Sequence, residues 1–160
     1  IFFYSILLFF YFYNKRLKFK FSELVYLLIL IAIMITITDQ TANLFKDSFQ
    51  RLRPCYNELI KDSLRLVKDS CGGKYGFFSA HASNSFTLAV FFGLLYKKKF
   101  RYLIYISLLY ASLISYSRIY LGVHFPLDLI FGSTFGIIVG IITFKFYNKY
   151  LYFFKLFNKS

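Results

Sequence analysis

Five long apolar segments constrain how this chain can fold more than any other feature. They cover roughly residues 1–13, 22–45, 79–96, 102–117 and 126–146. The runs are continuous and lack the alternation of half-buried strands, which favours helices. Flanking Tyr, Lys and Arg side chains can extend each run towards the roughly 20 residues that span a bilayer. The sequence therefore predicts an all-α, polytopic membrane helix bundle with five transmembrane helices.

The composition points the same way. Hydrophobic residues make up 58% of the 160 residues and charged residues only 17%. A water-soluble domain of this size could not hide so much apolar surface, and a disordered chain would be far more polar. We therefore expect one membrane-embedded domain over residues 1–160. Because the chain starts inside an apolar run, with basic residues only after it, we also expect a native N-terminal segment to precede Ile1.

The distribution of basic residues predicts the orientation. Segments 14–21, 97–101 and 145–160 carry twelve Lys and Arg and no acidic residue. Segments 46–78 and 118–125 carry eight cations and four acids. The positive-inside rule places the first set in the cytoplasm, so residues 46–78 form an extracytoplasmic loop of a multi-pass membrane protein. This division explains the net charge of +13 without nucleic acid as a partner.

Two cysteines and three glycines stand out in the outer loop. Cys55 and Cys71 both lie in a compartment that permits disulfides, so either a bridge or two free thiols fits the sequence. Gly72, Gly73 and Gly76 fit a mobile rim over a site and an ordinary turn equally well.

Glycines also recur at four-residue spacing in the last apolar segment. Gly132, Gly136 and Gly140 lie on one face of a predicted helix, where bare backbone allows another helix to approach closely. We expect this face to pack within the bundle rather than to form a dimer interface.

Three polar motifs lie at the outer ends of the predicted helices. They are Lys-Asp-Ser-Phe-Gln-Arg-Leu-Arg-Pro at 46–54, Ser-Ala-His at 79–81, and Ser-Arg-Ile-Tyr-Leu-Gly-Val-His-Phe-Pro-Leu-Asp at 117–128. Together they contain both histidines and both prolines of the chain. The orientation given by the basic residues, which does not depend on these motifs, places all three on the same side of the membrane.

The residue types in these motifs suit a phosphate group. Lys46, Arg53 and Arg118 supply three cations, and an arginine fork matches phosphate oxygens in pairs. Ser79 opens a helix, so its hydroxyl and the free N–H groups of Ala80 and the next residue can also meet an anion.

The two histidines offer two chemical roles. One imidazole can attack phosphorus while the other protonates the leaving oxygen. Asp128 follows His124 by four residues, and a helix that starts near Pro126 would bring its carboxylate to one ring nitrogen, fixing the tautomer. The alternative for Asp128 is a carboxylate stabilised by the helix dipole alone.

The three motifs resemble the signature of the type-2 phosphatidic acid phosphatases. That signature reads Lys-x6-Arg-Pro, Pro-Ser-Gly-His and Ser-Arg-x5-His-x3-Asp, and the first and third parts match fully. In the second part Phe78 replaces Pro and Ala80 replaces Gly. The added methyl group lies where the backbone approaches phosphate, but it removes no donor. The resemblance covers about residues 22–146.

The resemblance implies a fold and a role for each residue. The family fold is a bundle of usually six membrane helices. His124 would form a phosphohistidine, His81 would protonate the leaving group and then activate water, and Asp128 would orient His124. The phosphoryl oxygens would be held by Lys46, Arg53, Ser79, the Ala80 N–H and Arg118. No metal and no cofactor are expected, and the sequence offers no clear carboxylate cluster for Mg²⁺.

With the resemblance, these expectations combine into an integral membrane lipid phosphatase acting at the outer leaflet of the bacterial cytoplasmic (inner) membrane. By family analogy the first substrate choice is undecaprenyl pyrophosphate, with phosphatidylglycerophosphate and phosphatidic acid as alternatives and lipid A also considered. A function of another class is a non-catalytic protein that binds or moves anionic lipids, which would need the cations but not the two histidines with Asp128.

A further carboxylate, Asp39, lies near the outer end of the second apolar segment. At that depth it needs a partner, and Arg51, Arg53 and Arg118 are the candidates. An interfacial cap is the alternative.

Overall fold

The structure, a computed structural model, describes residues 21–64 and 71–157. In these ranges the chain forms four α-helices, α1 (Phe21–Phe49), α2 (Ala80–Leu95), α3 (Leu103–Tyr120) and α4 (Pro126–Phe157). By length and composition α1, α3 and α4 are apolar enough to cross a membrane, and α2 is a shorter apolar helix. The all-helical membrane fold is confirmed. Of the five predicted helices, the segment at 1–13 lies outside the described residues.

Three helices extend beyond the apolar segments that predicted them. The last apolar segment ends at residue 146, yet α4 continues to Phe157, so much of the basic 145–160 segment is helix rather than a connection. The fourth segment ends at residue 117, yet α3 continues to Tyr120. Lys and Arg end an apolar run but are good helix formers, so a charge alone does not end a helix. The outer loop likewise starts after Phe49, not at residue 46.

The middle of α2 forms the centre of the bundle. Its residues from Ala82 to Gly93 are largely buried and pack against α1, α3 and α4. The buried hydrophobic cluster consists of Leu27, Met34, Phe91, Phe92, Val139 and Tyr147. Large apolar side chains remain exposed along the other helices, including Ile29, Ile33, Leu109, Leu113, Ile138 and Ile142. Such extensive exposed apolar surface on three of the four helices is typical of a membrane protein.

The glycine stripe of α4 packs directly on the backbone of α2. A Cβ atom on Gly132 would lie 2.6 Å from the carbonyl oxygen of Ser79, and one on Gly140 would lie 2.7 Å from that of Thr87. A Cβ on Gly136 would collide with the backbone of Ser83. The close approach is reinforced by the Thr87 hydroxyl, which donates to the Gly136 carbonyl at 3.0 Å. The prediction that this stripe packs within the bundle is confirmed.

A group of polar side chains joins α1 to α2 inside the bundle, near the outer loop. The Asn84 side-chain amide donates to Asp39 Oδ1 at 2.8 Å, and the Thr38 hydroxyl, which is fully buried, donates to the Asn84 carbonyl oxygen. Asp39 therefore pairs with an amide from the neighbouring helix, and the expected pairing with an arginine is wrong.

The described residues of the outer loop, 50–64 and 71–79, contain two 3-10 turns, Pro54–Tyr56 and Lys61–Ser63. An isolated antiparallel bridge between Leu52 and Tyr75 joins the two described parts of the loop. Cys55 and Cys71 are joined by a disulfide, which decides between the two alternatives that the sequence left open. This loop and the short link between α3 and α4 meet at one end of the bundle, where the Ser79 N–H donates to the carbonyl oxygen of Asp128 at 3.0 Å.

Candidate active site

A cavity of about 300 Å³ opens at this end of the bundle. It is lined by Lys46, Arg53, Cys71, Gly72, Ala80, His81, Arg118, Leu121, Val123 and His124. Residues from all three polar motifs thus meet in one place, although up to 78 positions separate them in the sequence. The predicted site residues that do not line the cavity are Asp128 and Ser79, which lie directly behind it.

The link between α3 and α4 places His124 against Asp128. After α3 ends, Gly122 takes a positive φ of 68° that turns the chain, and Pro126 then starts α4. Asp128 lies in the first turn of α4, with its Oδ2 atom 3.1 Å from His124 Nδ1. Both side chains are buried. Because Nδ1 is engaged by the carboxylate, Nε2 is the ring nitrogen left for a substrate.

The surroundings of His124 favour its neutral form. Burial lowers the pKa of His124 below its usual range, and the positive charges of Arg53 and Lys46 lower it further. The hydrogen bond and the charge of Asp128 act in the opposite direction without cancelling the effect. A neutral imidazole has a lone pair available at neutral pH, which a nucleophile requires.

Arg53 is held on the cavity wall by the backbone of the outer loop. Its Nε donates to the Tyr75 carbonyl at 3.1 Å and its Nη1 to the Cys71 carbonyl at 3.0 Å. Two glycines make room for it. A Cβ on Gly76 would lie 3.0 Å from Arg53 Cγ, and one on Gly72, whose φ is +71°, would lie 3.3 Å from Nη1. These two glycines allow an arginine side chain to lie against the loop.

The other two cations come from helix C-termini. Lys46 lies in the last turn of α1, where its ammonium donates to Asn43 Oδ1 at 3.2 Å. Arg118 lies in the last turn of α3, where its Nε donates to the Ser117 hydroxyl at 3.2 Å. Helix C-termini stabilise positive charge. Together with Arg53 they give the cavity three cations, which is the charge expected for binding a phosphate dianion.

Ser79 opens α2, as the sequence predicted. Its side chain is fully buried and its hydroxyl accepts the Ala82 N–H at 3.4 Å, so it caps the helix. A contact between this hydroxyl and phosphate stays a prediction. Ala80 and His81, the next two residues, do line the cavity, and the His81 side chain is exposed to it.

One residue of the site was missed as such. Arg51 forms an ion pair with Asp128 Oδ1, although the sequence offered it only as a possible partner of Asp39. Arg51 lies between two motif positions, Lys46 and Arg53, and this location was the only sequence feature that indicated a role in the site. Spacing along the chain cannot show which carboxylate an arginine 77 positions away will meet.

The described part of the chain holds no group of three or more His, Cys, Asp or Glu side chains placed to bind a metal ion. A metal-independent reaction stays a prediction that a chelator can test.

Comparison with known proteins decides the family. The family profile described as "PAP2 superfamily" matches residues 23–152. The chain belongs to the PAP2 superfamily. This confirms the resemblance to the type-2 phosphatidic acid phosphatases, and the matched range contains all three motifs.

Two curated relatives come from bacteria. The chain is 38% identical over 141 residues to a lipid A 4'-phosphatase of Porphyromonas gingivalis, covering 88% of this chain and 57% of that protein. It is 43% identical over 104 residues to a lipid A 4'-phosphatase of Bacteroides thetaiotaomicron, covering 64% of this chain and 45% of the relative. The chain thus spans about half the length of the curated relatives it matches.

A solved PAP2-type structure gives a similar fold. The crystal structure of Aquifex aeolicus LpxE superposes with a TM-score of 0.60 at 29% identity, covering 88% of this chain and 75% of that one. The overall fold is therefore similar to that of an experimentally determined structure.

Proposed function

We propose that this protein is a membrane phosphatase that removes a phosphate group from a lipid through a phosphohistidine on His124. One observation carries the proposal. A buried imidazole, oriented by Asp128 at 3.1 Å, lines the same cavity as three cations and a second histidine. A protein that only binds anionic lipids would need the cations but not a buried histidine paired with a carboxylate.

The first half of the reaction transfers the phosphoryl group to the protein. The lone pair of His124 Nε2 attacks phosphorus and forms a P–N bond while the P–O bond to the lipid breaks. The leaving oxygen keeps its electron pair and takes a proton from His81. Asp128 accepts the hydrogen bond of Nδ1–H and stabilises the positive charge that appears on the ring.

The second half releases phosphate. Water attacks phosphorus and gives a proton to His81, the P–N bond breaks, and its electron pair returns to Nε2. Throughout, Lys46, Arg53 and Arg118 neutralise the charge on the transferred phosphoryl group, which is the main catalytic requirement of phosphoryl transfer.

The relatives change the first choice of substrate. Both curated relatives are named lipid A 4'-phosphatase, so we propose the 4'-phosphate of lipid A as the substrate. Undecaprenyl pyrophosphate, phosphatidylglycerophosphate and phosphatidic acid become the alternatives. The cavity of about 300 Å³ can take a phosphate with part of the group that carries it, while the exposed apolar faces of the helices suit acyl chains.

The cavity lies, by this proposal, on the extracytoplasmic face of the cytoplasmic membrane. The disulfide beside it suits that compartment. Cysteines introduced as Lys61→Cys and Lys98→Cys should react with an impermeant reagent from opposite sides, and reaction from the same side would contradict this orientation.

The test is phosphate release by the detergent-purified protein from lipid A and the three alternative lipids, with and without EDTA. We expect the highest kcat/KM on lipid A and no loss in EDTA. His124→Ala should lower the activity about 10³-fold or more, since a covalent nucleophile is removed. Lys61→Gln, which removes an exposed loop cation that pairs with Glu58, is the matched control.

Full activity of His124→Ala would contradict the covalent mechanism. Lipid binding without phosphate release by the wild-type protein would favour the non-catalytic alternative.

A further inference from the structure

The buried carboxylate of Asp128 has a second charged partner besides His124. Its Oδ2 atom accepts the Phe125 N–H at 3.0 Å and lies 3.1 Å from His124 Nδ1. Its Oδ1 atom accepts a hydrogen bond from Arg51 Nη2. A carboxylate that is only 4% exposed is costly to bury without a counter-charge, and a neutral imidazole does not supply one.

Arg51 is itself held over the start of α4. Its Nη2 also donates to the Phe77 carbonyl at 3.3 Å, and its guanidinium carbon lies 4.8 Å from the centre of the Phe125 ring. Phe125 directly follows His124. The arginine therefore connects the outer loop to the segment that carries the imidazole, by an ion pair, a backbone hydrogen bond and a cation–π contact.

Arg51 and Arg53 are close in sequence but differ in place. Arg53 lines the cavity, whereas Arg51 is not among the residues of its wall. Arg51 is instead bound to the carboxylate behind His124, so it is placed to act through Asp128 rather than as a phosphate ligand.

We propose that Arg51 is a positioning residue that acts on His124 through Asp128. The inference rests on the proposed function. With Arg51 in place both carboxylate oxygens are engaged, so the plane of Asp128 is fixed and Oδ2 stays aimed at Nδ1. The proton is thereby kept on Nδ1, and Nε2 keeps its lone pair towards the cavity. Without Arg51 only Oδ2 stays engaged, the Phe125 N–H alone no longer fixes the plane of the carboxylate, and both tautomers of His124 are populated.

The kinetic test compares Arg51→Gln, Arg51→Lys and Asp128→Asn in the full chain, with Lys61→Gln as the charge-matched control. Arg51→Gln should lower kcat about 10- to 100-fold, as losses of groups that orient a reactive residue do, with KM within about twofold. Arg51→Lys should restore part of kcat because it keeps the charge. Arg51→Gln combined with Asp128→Asn should be no slower than Asp128→Asn alone.

Three outcomes would overturn the inference. One is wild-type kcat in Arg51→Gln. The second is a raised KM with unchanged kcat, which is the behaviour of a phosphate ligand. The third is a multiplicative loss in the double variant, which would show that the two residues act independently.

A spectroscopic test works without any substrate. The chain contains two histidines, so ¹⁵N-histidine labelling gives two imidazoles, and His81→Gln assigns them. In the wild-type protein His124 should show a protonated Nδ1 and an unprotonated Nε2, and Arg51→Gln should shift both nitrogens towards the average of two tautomers. Unchanged shifts would overturn the inference even in an inactive protein. Inactivity of the wild type on all four lipids would instead count against the proposed function alone.

Discussion

The two walls of the cavity are built differently. The wall that carries His81, Arg118 and His124 is formed by helix ends and a five-residue link, fixed by the contact of the α4 glycine stripe with α2. The opposite wall, with Arg53, belongs to a loop held by a disulfide, an isolated bridge and hydrogen bonds to carbonyls.

The difference matches what each wall has to do. An in-line attack on phosphorus requires the nucleophile within fractions of an ångström, so it needs a rigid base. Charge–charge attraction falls off slowly with distance, so a cation tolerates a looser support. We therefore expect damage to the helical wall to appear in kcat, and damage to the loop wall to appear in KM.

The largest effect is expected from Asp128→Asn. The amide keeps the shape of the side chain but cannot hold His124 in the required tautomer, so kcat should fall about 10⁴-fold, the loss known for such triads. Steady-state kinetics on lipid A measures this. The control is Asp47→Asn, an exposed carboxylate in the last turn of α1. A raised KM with unchanged kcat would place Asp128 among the binding groups and break the comparison.

The next effect concerns the rigidity of the helical wall. Gly136→Ala puts a methyl group into the Ser83 backbone and should lower the free energy of unfolding by about 1–3 kcal/mol, as overpacking does. Thermal unfolding in detergent measures it. Gly73→Ala is the matched control, because a Cβ there meets nothing within 4 Å. Equal melting temperatures of the two variants would show that the helical wall is not tightly packed.

Loss of the disulfide should act on the loop wall. Cys71 presents its carbonyl oxygen to Arg53, so Cys55→Ser with Cys71→Ser should let this arginine move and raise KM about tenfold, the value of one charged hydrogen bond. The kcat value should stay within about threefold. A large fall in kcat with unchanged KM would mean that the loop positions the nucleophile.

The smallest effect is a shift of the pH profile. Since burial, Arg53 and Lys46 lower the pKa of His124, its neutral form persists below the usual histidine pKa of about 6.5, and the acid limb of the kcat/KM profile, where His124 becomes protonated, should lie below that pH. Removing a cation raises that pKa, so Arg53→Gln should move the acid limb to higher pH. Lys61→Gln should leave the limb in place. An unmoved limb in Arg53→Gln would show that the two walls are not coupled electrostatically.

Much of this site was predictable because its key relations are local. The four-residue spacing of His124 and Asp128, with Pro126 between them, is enough to bring both onto one helix start. The four-residue spacing of the α4 glycines likewise identifies the helix face that packs closely, although it does not identify the helix on which that face packs. The length of the apolar runs specifies the membrane helices themselves.

The wrong predictions concern choices between partners that are distant in sequence. Asp39 lies near several arginines by depth, yet it meets Asn84 because α1 packs on α2 there. Helix packing decides such competitions, and it is not encoded in spacing.

The hydrogen bonds among Thr38, Asp39 and Asn84 have a consequence for the whole bundle. In an apolar surrounding a rotation of α1 about its own axis would leave an amide and a carboxylate without partners, so only one rotational setting satisfies them. Lys46 follows Thr38 by eight residues, a little over two turns along the same helix. A few hydrogen-bonded atoms inside the bundle thus fix the rotation of α1. They thereby also fix the direction in which Lys46 points, about 12 Å further along the helix.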